Sequence, residues 1–187
     1  MPAVTSKTAP VVWFTGLSGA GKSTLCLCVD RRLRERGIAT QVLDGDILRK
    51  QLWPDLGYSH ADRCENLRRH SYVAGLLARN GIVVLVAAIS PYREMREEIR
   101  ASHPRFIEVF ANASLEICEA RDPKGLYLRA RQGLIQHFTG ISDPYEPPLH
   151  PEIECRTDTE TIEESCEKVT ARILAEITYL KPHFANC

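Results

Sequence analysis

Short apolar runs alternate along the chain with longer segments in which apolar positions recur at helical spacing. Short apolar runs are typical of strands buried in a parallel sheet, and the amphipathic segments are typical of the helices that cover it. The pattern predicts strands over Val11–Thr15, Thr40–Leu43, Ile82–Ile89, Phe106–Ala111 and Ile153–Arg156. It predicts helices over Lys22–Arg36, Ile47–Leu52, His60–Asn80, Tyr92–Ser102, Ser114–Ala120, Leu126–Ile135 and Ile162–Leu180.

One stretch, at about 121–151, departs from this alternation because it carries many charged and turn residues and only one helix-like segment. Long excursions in compact domains are usually functional lids or disordered segments, and here we favour a lid. The polar stretch 1–10 lacks the apolar region of a signal peptide and is interpreted as a mobile tail. We therefore predict a single domain over 11–181, followed by a C-terminal tail over 182–187.

Composition and charge narrow the class of protein. The length of 187 residues suits one α/β domain, and 24 basic residues balance 24 acidic ones. This balance predicts no nucleic-acid partner, and no apolar run is long enough to predict a membrane span. Seven cysteines without metal-ligand spacing are interpreted as free thiols of a cytoplasmic protein, with a regulatory disulfide left open.

A phosphate-binding loop follows the first predicted strand. Residues 16–23, GLSGAGKS, match the pattern G-x-x-x-x-G-K-[ST] and open a helix. Backbone N–H groups of such a loop point at phosphate oxygens, and the helix adds the positive end of its dipole. Lys22 is expected to bridge the β- and γ-phosphates, and Ser23 to offer its hydroxyl to Mg²⁺. The loop predicts an α/β fold of the P-loop NTPase type, a parallel five-stranded sheet with helices on both faces and a lid segment.

Two carboxylates at the end of the second predicted strand indicate a kinase. The third strand, in IVVLVAAIS, ends without an acidic residue, so the usual metal-binding aspartate is missing there. Asp44 and Asp46 instead follow the second strand, at the sheet edge where ligands bind in such folds. They are candidates for holding the Mg²⁺ shell, partly through water, and for accepting a proton from an attacking hydroxyl. A GTPase switch is disfavoured because no guanine-selective N-K-x-D occurs.

A polar cluster downstream of these carboxylates suits an anionic acceptor. Arg63 and Asn66 lie three residues apart and therefore share a face of their predicted helix, and Arg49 is placed to reach the same cleft. Arginines and an amide in one cleft bind a molecule that carries negative charge and hydrogen-bonding groups.

Six motifs, in order, resemble those of the adenylyl-sulfate kinase family. They are GLSGAGKST, LDGD-x-x-R, LG-[FY]-S-x-x-DR-x-EN-x-RR, ISPYR, EARDPKGLY and FTGISDPYE. The resemblance covers about residues 11–180 and implies an enzyme that uses ATP and Mg²⁺ to phosphorylate the 3′-hydroxyl of adenylyl sulfate. It leaves open a homodimer or an association with ATP sulfurylase.

The resemblance also implies roles for individual residues. The expected catalytic residues are Asp46, Lys22 and Asp44, and the expected metal ligands are Ser23, Asp44 and Asp46. ATP is expected to contact Gly16, Ser18, Gly19, Ala20, Gly21, Lys22, Ser23, Thr24 and Arg121. Adenylyl sulfate is expected to contact Asp46, Arg49, Tyr58, Arg63, Asn66, Ile89, Ser90, Lys124, Leu126, Phe138 and Thr139. Its adenine is expected between the two aromatic rings of this set.

Ser90 matches a position that is often described as a phosphoserine in the family. Direct in-line transfer needs no covalent step, so Ser90 is interpreted first as a pocket residue and second as a catalytic candidate. Arg131, like Arg121, is a candidate contact to phosphate or adenine.

Departures from the family pattern lie in the lid. Many members carry charged residues at the positions of Leu128, Leu134 and Gln136. The loss of charge keeps open a related kinase that acts on another anionic or nucleoside-like hydroxyl compound. A non-catalytic nucleotide-binding partner of a sulfurylase is disfavoured because the phosphate-loop lysine and serine and both aspartates are intact.

Overall fold

The computed structural model describes residues 8–178. Their core is a five-stranded sheet in which every neighbouring pair of strands is parallel, in the order β2-β3-β1-β4-β5. The strands are β1 (Val11–Thr15), β2 (Thr40–Asp44), β3 (Val83–Ala87), β4 (Phe106–Asn112) and β5 (Ile153–Arg156). The predicted parallel five-stranded sheet is confirmed.

The helices within the same part of the chain follow the predicted order. They are α1 (Lys22–Arg34), α2 (Gly45–Leu52), α3 (His60–Arg79), α4 (Arg93–Ser102), α5 (Leu115–Arg121), α6 (Leu126–Arg131) and α7 (Ile162–Thr178).

Several element bounds differ from the predictions for local physical reasons. β3 ends at Ala87 rather than at residue 89, and the chain then turns through Ser90 at a φ of 49°. α6 ends at Arg131 because Gly133, at a φ of 73°, takes the chain out of the helix. α2 begins two residues earlier than predicted, since the Asp44 side chain caps its first turn.

β1 is the central strand and is buried on both faces. Its alternate side chains enter two separate cores, as the period of a strand requires. Val12 and Phe14 pack in the core that includes residues of α1 and α7, whereas Val11 and Trp13 pack in the core that includes residues of α3 and α4. The sheet therefore lies between two layers of helices, and its buried strands position the loops at its carboxyl edge.

The segment predicted as a lid packs against the phosphate loop. Tyr127 and Phe138 form a third apolar cluster with Ala20 and Cys118, and their rings meet edge to face at 5.0 Å between centroids. The Tyr127 hydroxyl donates a hydrogen bond of 2.9 Å to the carbonyl oxygen of Ser18. These contacts hold the start of the lid next to the loop that binds phosphate.

The chain is already packed at Ala9, which is buried and donates its N–H to the Ala78 carbonyl at 2.9 Å. The rest of the predicted N-terminal tail, residues 1–7, and the C-terminal tail lie outside the described residues. No helix within residues 8–178 has both the length and the apolar character that crossing a bilayer requires. The six cysteines in this range are free thiols, and burial raises the pKa of Cys155 to about 11.

Replacing Gly16 by Ala is expected to destabilise the fold more than replacing Gly37 by Ala. Both glycines have a positive φ, 147° and 71°, so each variant carries backbone strain of about 1–3 kcal/mol. A Cβ at residue 16 would also lie 2.4 Å from the carbonyl oxygen of Ala111, whereas nothing lies within 4 Å of one at residue 37. Urea unfolding should therefore show a further loss of about 1–3 kcal/mol for Gly16→Ala. Equal losses for the two variants would contradict this steric account.

Candidate functional site

One large cavity of about 810 Å³ opens at the carboxyl edge of the sheet. Its volume is in the range of small-molecule sites. The cavity brings together nearly all of the residues predicted for ATP, metal and acceptor. Gly16 and Ala20 do not line it, because Gly16 packs against Ala111 and the Ala20 side chain is buried in the lid cluster.

The phosphate loop presents backbone at one end of the cavity. Gly21 immediately precedes α1 in the left-handed conformation, at a φ of 89°, which places the loop at the N-terminus of that helix. Lys22 Nζ donates to the carbonyl oxygens of Gly16 and Leu17, at 2.9 and 2.7 Å. Burial lowers the pKa of the Lys22 ammonium to about 8, and the Asp46 carboxylate limits this shift. The ammonium is thus held against the carbonyl oxygens of its own loop.

Asp44 joins the phosphate loop to α2. One of its oxygens accepts from the N–H groups of Asp46 and Ile47, at 3.0 and 3.2 Å, and caps the helix. The other oxygen accepts from the Ser23 hydroxyl at 2.9 Å. A carboxylate beside a hydroxyl supplies the hard oxygen ligands that Mg²⁺ takes from proteins, which usually give it one or two side chains beside phosphate and water. The donor set therefore fits the predicted metal.

Asp46 lies in the first turn of α2 and pairs with Lys124 of the lid. Both side chains are more than half exposed, so the contact is accessible to solvent and to a ligand. Both residues line the cavity, and Asp46 is also close enough to Lys22 to raise the pKa of that ammonium. Positive and negative groups thus lie together beside the phosphate loop.

The two predicted arginines lie around Tyr58, and all three residues line the cavity. We call the part of the cavity that Arg49, Tyr58 and Arg63 line its acceptor end. The Arg49 guanidinium carbon is 4.3 Å from the centroid of the Tyr58 ring, and that of Arg63 is 5.6 Å away. Arg63 Nε donates to the Tyr58 carbonyl at 3.0 Å, and its Nη2 donates to the His137 carbonyl. Burial lowers the pKa of Arg63, and the nearby Asp143 carboxylate opposes the shift. Arg63 therefore connects α3 with the lid.

Two buried polar atoms at this end have no hydrogen-bond partner within the described chain. They are Oδ1 of Asn66 and Oγ1 of Thr139, and both residues line the cavity. A buried polar atom without a partner is costly, so each is a strong indication that a ligand or water completes the pair. Phe138 lies beside Thr139 with most of its ring buried, while Tyr58 is 60% exposed. Both residues of the predicted aromatic pair therefore line the cavity, but Phe138 is buried whereas Tyr58 is exposed.

Ser90 lies in the wall of this end of the cavity. Its side chain is 1% exposed, and its hydroxyl oxygen accepts a hydrogen bond of 2.7 Å from Trp13 Nε1. The backbone of Ser90 is left-handed, at a φ of 49°. An oxygen engaged by an indole N–H in a buried wall is suited to shaping a pocket, and both interpretations of Ser90 made from the sequence stay predictions.

Arg121 and Arg131 were both predicted as contacts to phosphate or adenine, but the structure places only Arg121 at the cavity. Arg121 lines the cavity and donates to the Thr157 carbonyl at 2.6 Å. Arg131 does not line it and forms an ion pair of 2.8 Å with Glu119. Arg129, which the motifs did not single out, faces the cavity instead.

Residues after β5 also line the cavity, at its nucleotide end, and were missed. They are Thr157, Glu160, Thr161, Ile162 and Ser165. The available signal was the position of β5 as the last parallel strand, since ligands bind beyond the carboxyl ends of such strands.

Comparisons with known proteins agree with this site. The family model described as adenylylsulphate kinase matches residues 8–156. The adenylyl-sulfate kinase of Rippkaea orientalis is 58% identical over 169 residues, which are 90% of this chain and 93% of that relative. The APS kinase of Mycobacterium tuberculosis, solved in complex with AMPPNP and APS, has a TM-score of 0.86 and 50% identity, over 90% of this chain and 98% of that one.

A gluconokinase from Sinorhizobium meliloti, 20% identical with a TM-score of 0.58 over 95% of this chain and 99% of its own, is similar in fold alone. The two closer similarities each extend over nine-tenths of the chain, and the family model covers the sheet from β1 to β5. The family predicted from the six motifs is confirmed, and the chain belongs to the adenylyl-sulfate kinase family.

Proposed function

We propose that this chain transfers the γ-phosphoryl group of ATP to the 3′-hydroxyl of adenylyl sulfate. The observation that carries the proposal is one cavity lined by the phosphate loop, by the Arg49 and Arg63 cluster and by Asp46, which is close enough to Lys22 to raise the pKa of its ammonium. Such a cavity suits a donor and an acceptor whose reacting groups meet at Asp46. The relative solved with both AMPPNP and APS supports two ligands in one site.

ATP is assigned to the end formed by the phosphate loop. The N–H groups of residues 19–24 and the dipole of α1 would hold its phosphates, with Lys22 on the β- and γ-phosphates. Ser23 and Asp44 would hold Mg²⁺, which when bound supplies positive charge to the phosphates. Arg121 and Thr157 are assigned to the remainder of the nucleotide, because both line the cavity and each donates a hydrogen bond to a carbonyl of the phosphate loop.

Adenylyl sulfate is assigned to the end formed by α2, α3 and the lid. Arg49 and Arg63 offer two guanidinium groups to the phosphosulfate, and forked donors suit such oxygens. Asn66 and Thr139 would complete their unpaired oxygens with the acceptor. Tyr58 and Phe138 are assigned to its adenine, with stacking worth about 1–3 kcal/mol per ring in comparable contacts.

Asp46 is proposed to act on the 3′-hydroxyl. In the transfer, the hydroxyl oxygen forms a bond to the γ-phosphorus, the bond from that phosphorus to the bridging oxygen breaks, and the hydroxyl proton moves to Asp46. Lys124, now paired with Asp46, would turn to the phosphoryl oxygens when both substrates are bound. This exchange frees the carboxylate and neutralises the group in transfer, and positioning and charge supply most of the rate.

The alternative is a related kinase with another anionic or nucleoside-like hydroxyl acceptor. It is favoured by the uncharged lid residues, of which Gln136 lines the cavity while Leu128 and Leu134 are exposed. A cytoplasmic location and a homodimer or association with ATP sulfurylase stay predictions. Light scattering of the purified chain, alone and mixed with a sulfurylase, would test the last two.

Acceptor choice separates the two functions. Purified chain with ATP and Mg²⁺ should release ADP with adenylyl sulfate and give a 3′-phosphorylated product, because the arginine cluster requires an anionic acceptor. Adenosine, which shares the base and ribose but lacks the phosphosulfate, should be a poor acceptor in the same coupled assay. Faster turnover with a different hydroxyl compound would support the alternative function instead.

Asp46→Asn is expected to lower kcat by about 10²–10⁴-fold, because the amide cannot accept the hydroxyl proton. The dissociation constant of ATP should stay close to that of the wild type, since Asp46 is assigned to the acceptor hydroxyl. Asp55→Asn is the control, since Asp55 is exposed and pairs with Arg69 at 3.1 Å. Near-normal turnover of the Asp46 variant would refute the assigned role.

Nucleotide binding is expected to weaken above pH 8. The pKa of Lys22, lowered by burial to about 8, means that its ammonium deprotonates above this pH in the ligand-free chain. Phosphate oxygens favour the charged form, so binding takes up a proton and the affinity falls by at most about tenfold per pH unit. Calorimetric titration with ADP at pH 7 and 9, in buffers of different ionisation enthalpy, measures both effects. Lys22→Met should bind weakly without this uptake; an unchanged uptake would show that another group titrates.

A further inference from the structure

Arg96 does not line the cavity, yet it is bonded to two segments that shape it. It lies on α4 and is 1% exposed. Its Nη1 donates to the carbonyl oxygen of Ser90 at 2.6 Å, and its Nη2 donates to that of Glu146 at 2.6 Å. Ser90 belongs to the wall of the acceptor end, and Glu146 belongs to the last part of the lid. One buried guanidinium therefore joins the wall to the lid.

The Ser90 wall needs such a restraint. Its φ of 49° is left-handed, a conformation that a residue other than glycine keeps only where its surroundings enforce it. Two hydrogen bonds to Ser90 hold it in this conformation. Trp13 Nε1 holds the hydroxyl at 2.7 Å, and Arg96 holds the carbonyl. The neighbouring Ile89 carbonyl accepts from Thr15 Oγ1 at 2.7 Å, so the turn is anchored to β1 as well.

The end of the lid is attached to the same turn. The Glu146 N–H donates to the Pro91 carbonyl at 2.8 Å, and a carboxylate oxygen of Glu146 accepts from the Arg93 N–H at 2.7 Å. The tight turn before Glu146 is closed by the Gly140 N–H, which donates to the Asp143 carbonyl at 2.7 Å. The same turn is tied to Phe138, whose carbonyl accepts from the Asp143 N–H at 3.1 Å, so the attachment at Glu146 is one of the restraints on residues 138 and 139, beside the packing of Phe138 on Tyr127.

A second buried charge fixes the Arg96 side chain. Glu108 of β4 is 2% exposed, and its Oε1 lies 2.8 Å from Arg96 Nε. Its other oxygen lies 3.0 Å from Nη2 of Arg100, one turn further along α4. The contact with Glu108 is an ion pair without a hydrogen bond between Nε and Oε1, so the hydrogen bonds of the guanidinium are those from its two Nη atoms to the two carbonyls.

We propose that Arg96 is a positioning residue for the acceptor, which sets the distance between the Ser90 wall and the lid by bonding both carbonyls. The inference rests on the proposed assignment of this end of the cavity to adenylyl sulfate. The phosphate loop has hydrogen bonds of its own, from the Tyr127 hydroxyl to the Ser18 carbonyl and from the Thr157 hydroxyl to the Ala20 carbonyl. Loss of Arg96 should therefore disturb the acceptor and leave the nucleotide unaffected.

The test compares Arg96→Met with Arg100→Met. Each variant removes one of the two arginine partners of Glu108, but Arg100 is bonded to neither Ser90 nor Glu146. Steady-state kinetics should show the KM for adenylyl sulfate raised roughly 10- to 100-fold in Arg96→Met, with the KM for ATP within about twofold of wild type. Arg100→Met should change neither KM, although both variants should unfold at lower urea concentration.

A conservative variant covers the case in which Arg96→Met does not fold. Arg96→Lys keeps a charge beside Glu108 but lacks the fork that reaches both carbonyls, so it should fold and show an intermediate KM for adenylyl sulfate. A wild-type acceptor KM in this variant, equal effects of the two Met variants, or a matching rise of the ATP KM would each overturn the proposal. Inactivity of the wild-type chain toward adenylyl sulfate would instead contradict the proposed function.

Discussion

Residue 16 has space for backbone alone, and the rest of the site depends on that. The carbonyl oxygen of Ala111 would be 2.4 Å from a Cβ there, because the chain leaves the central strand pressed against the end of β4. The loop that follows is also tight at Gly19, where a Cβ would lie 2.9 Å from the Cys118 carbonyl. Two glycines thus let the phosphate loop run between β1, β4 and α5, with Ala20 packed in the lid cluster.

Three cations of the site are engaged by groups of the chain itself. Lys22 donates to two carbonyls of its own loop, Lys124 pairs with Asp46, and Arg63 donates to two carbonyls. Each of these contacts satisfies a charge that would otherwise be costly to desolvate. In the proposed function, anionic ligands would replace neutral carbonyls by charged oxygens, which form the stronger hydrogen bonds. The same exchange would separate Lys124 from Asp46 and so couple the lid to the carboxylate.

Local spacing made the phosphate loop, the Asp44 and Asp46 pair and the Arg63 and Asn66 helix face predictable. Each depends on residues a few positions apart, and parallel strands bring their carboxyl ends to one edge. Residues that depend on helix rotation or on distant pairing were not predictable. Arg129 and Arg131 are two residues apart on α6, and burial of Tyr127 decides which of them faces the cavity.

Ser90 shows the limit most clearly, since its partner Trp13 is 77 residues away in the sequence. The ISPYR motif contains Ser90 and the first predicted strand contains Trp13, but neither pattern indicates that the two side chains form a hydrogen bond. The link arises because β1 and β3 are neighbours in the sheet, in a register that pairs Phe14 with Ala87. A sequence pattern gives the strands, but the strand order that places these two side chains together comes from how the helices cover the sheet.

The buried Arg96 and Glu108 pair is hard to explain by stability alone. Removing two charges from water is costly, and apolar residues of similar volume often replace a buried ion pair without loss. An apolar residue at 96 would, however, leave the carbonyls of Ser90 and Glu146 without this donor, the first in a buried contact and the second in a partly buried one. The guanidinium donates to both carbonyls and lies 2.8 Å from one carboxylate oxygen. The pair is therefore better understood as the means of fixing a loop geometry that the backbone would not adopt on its own.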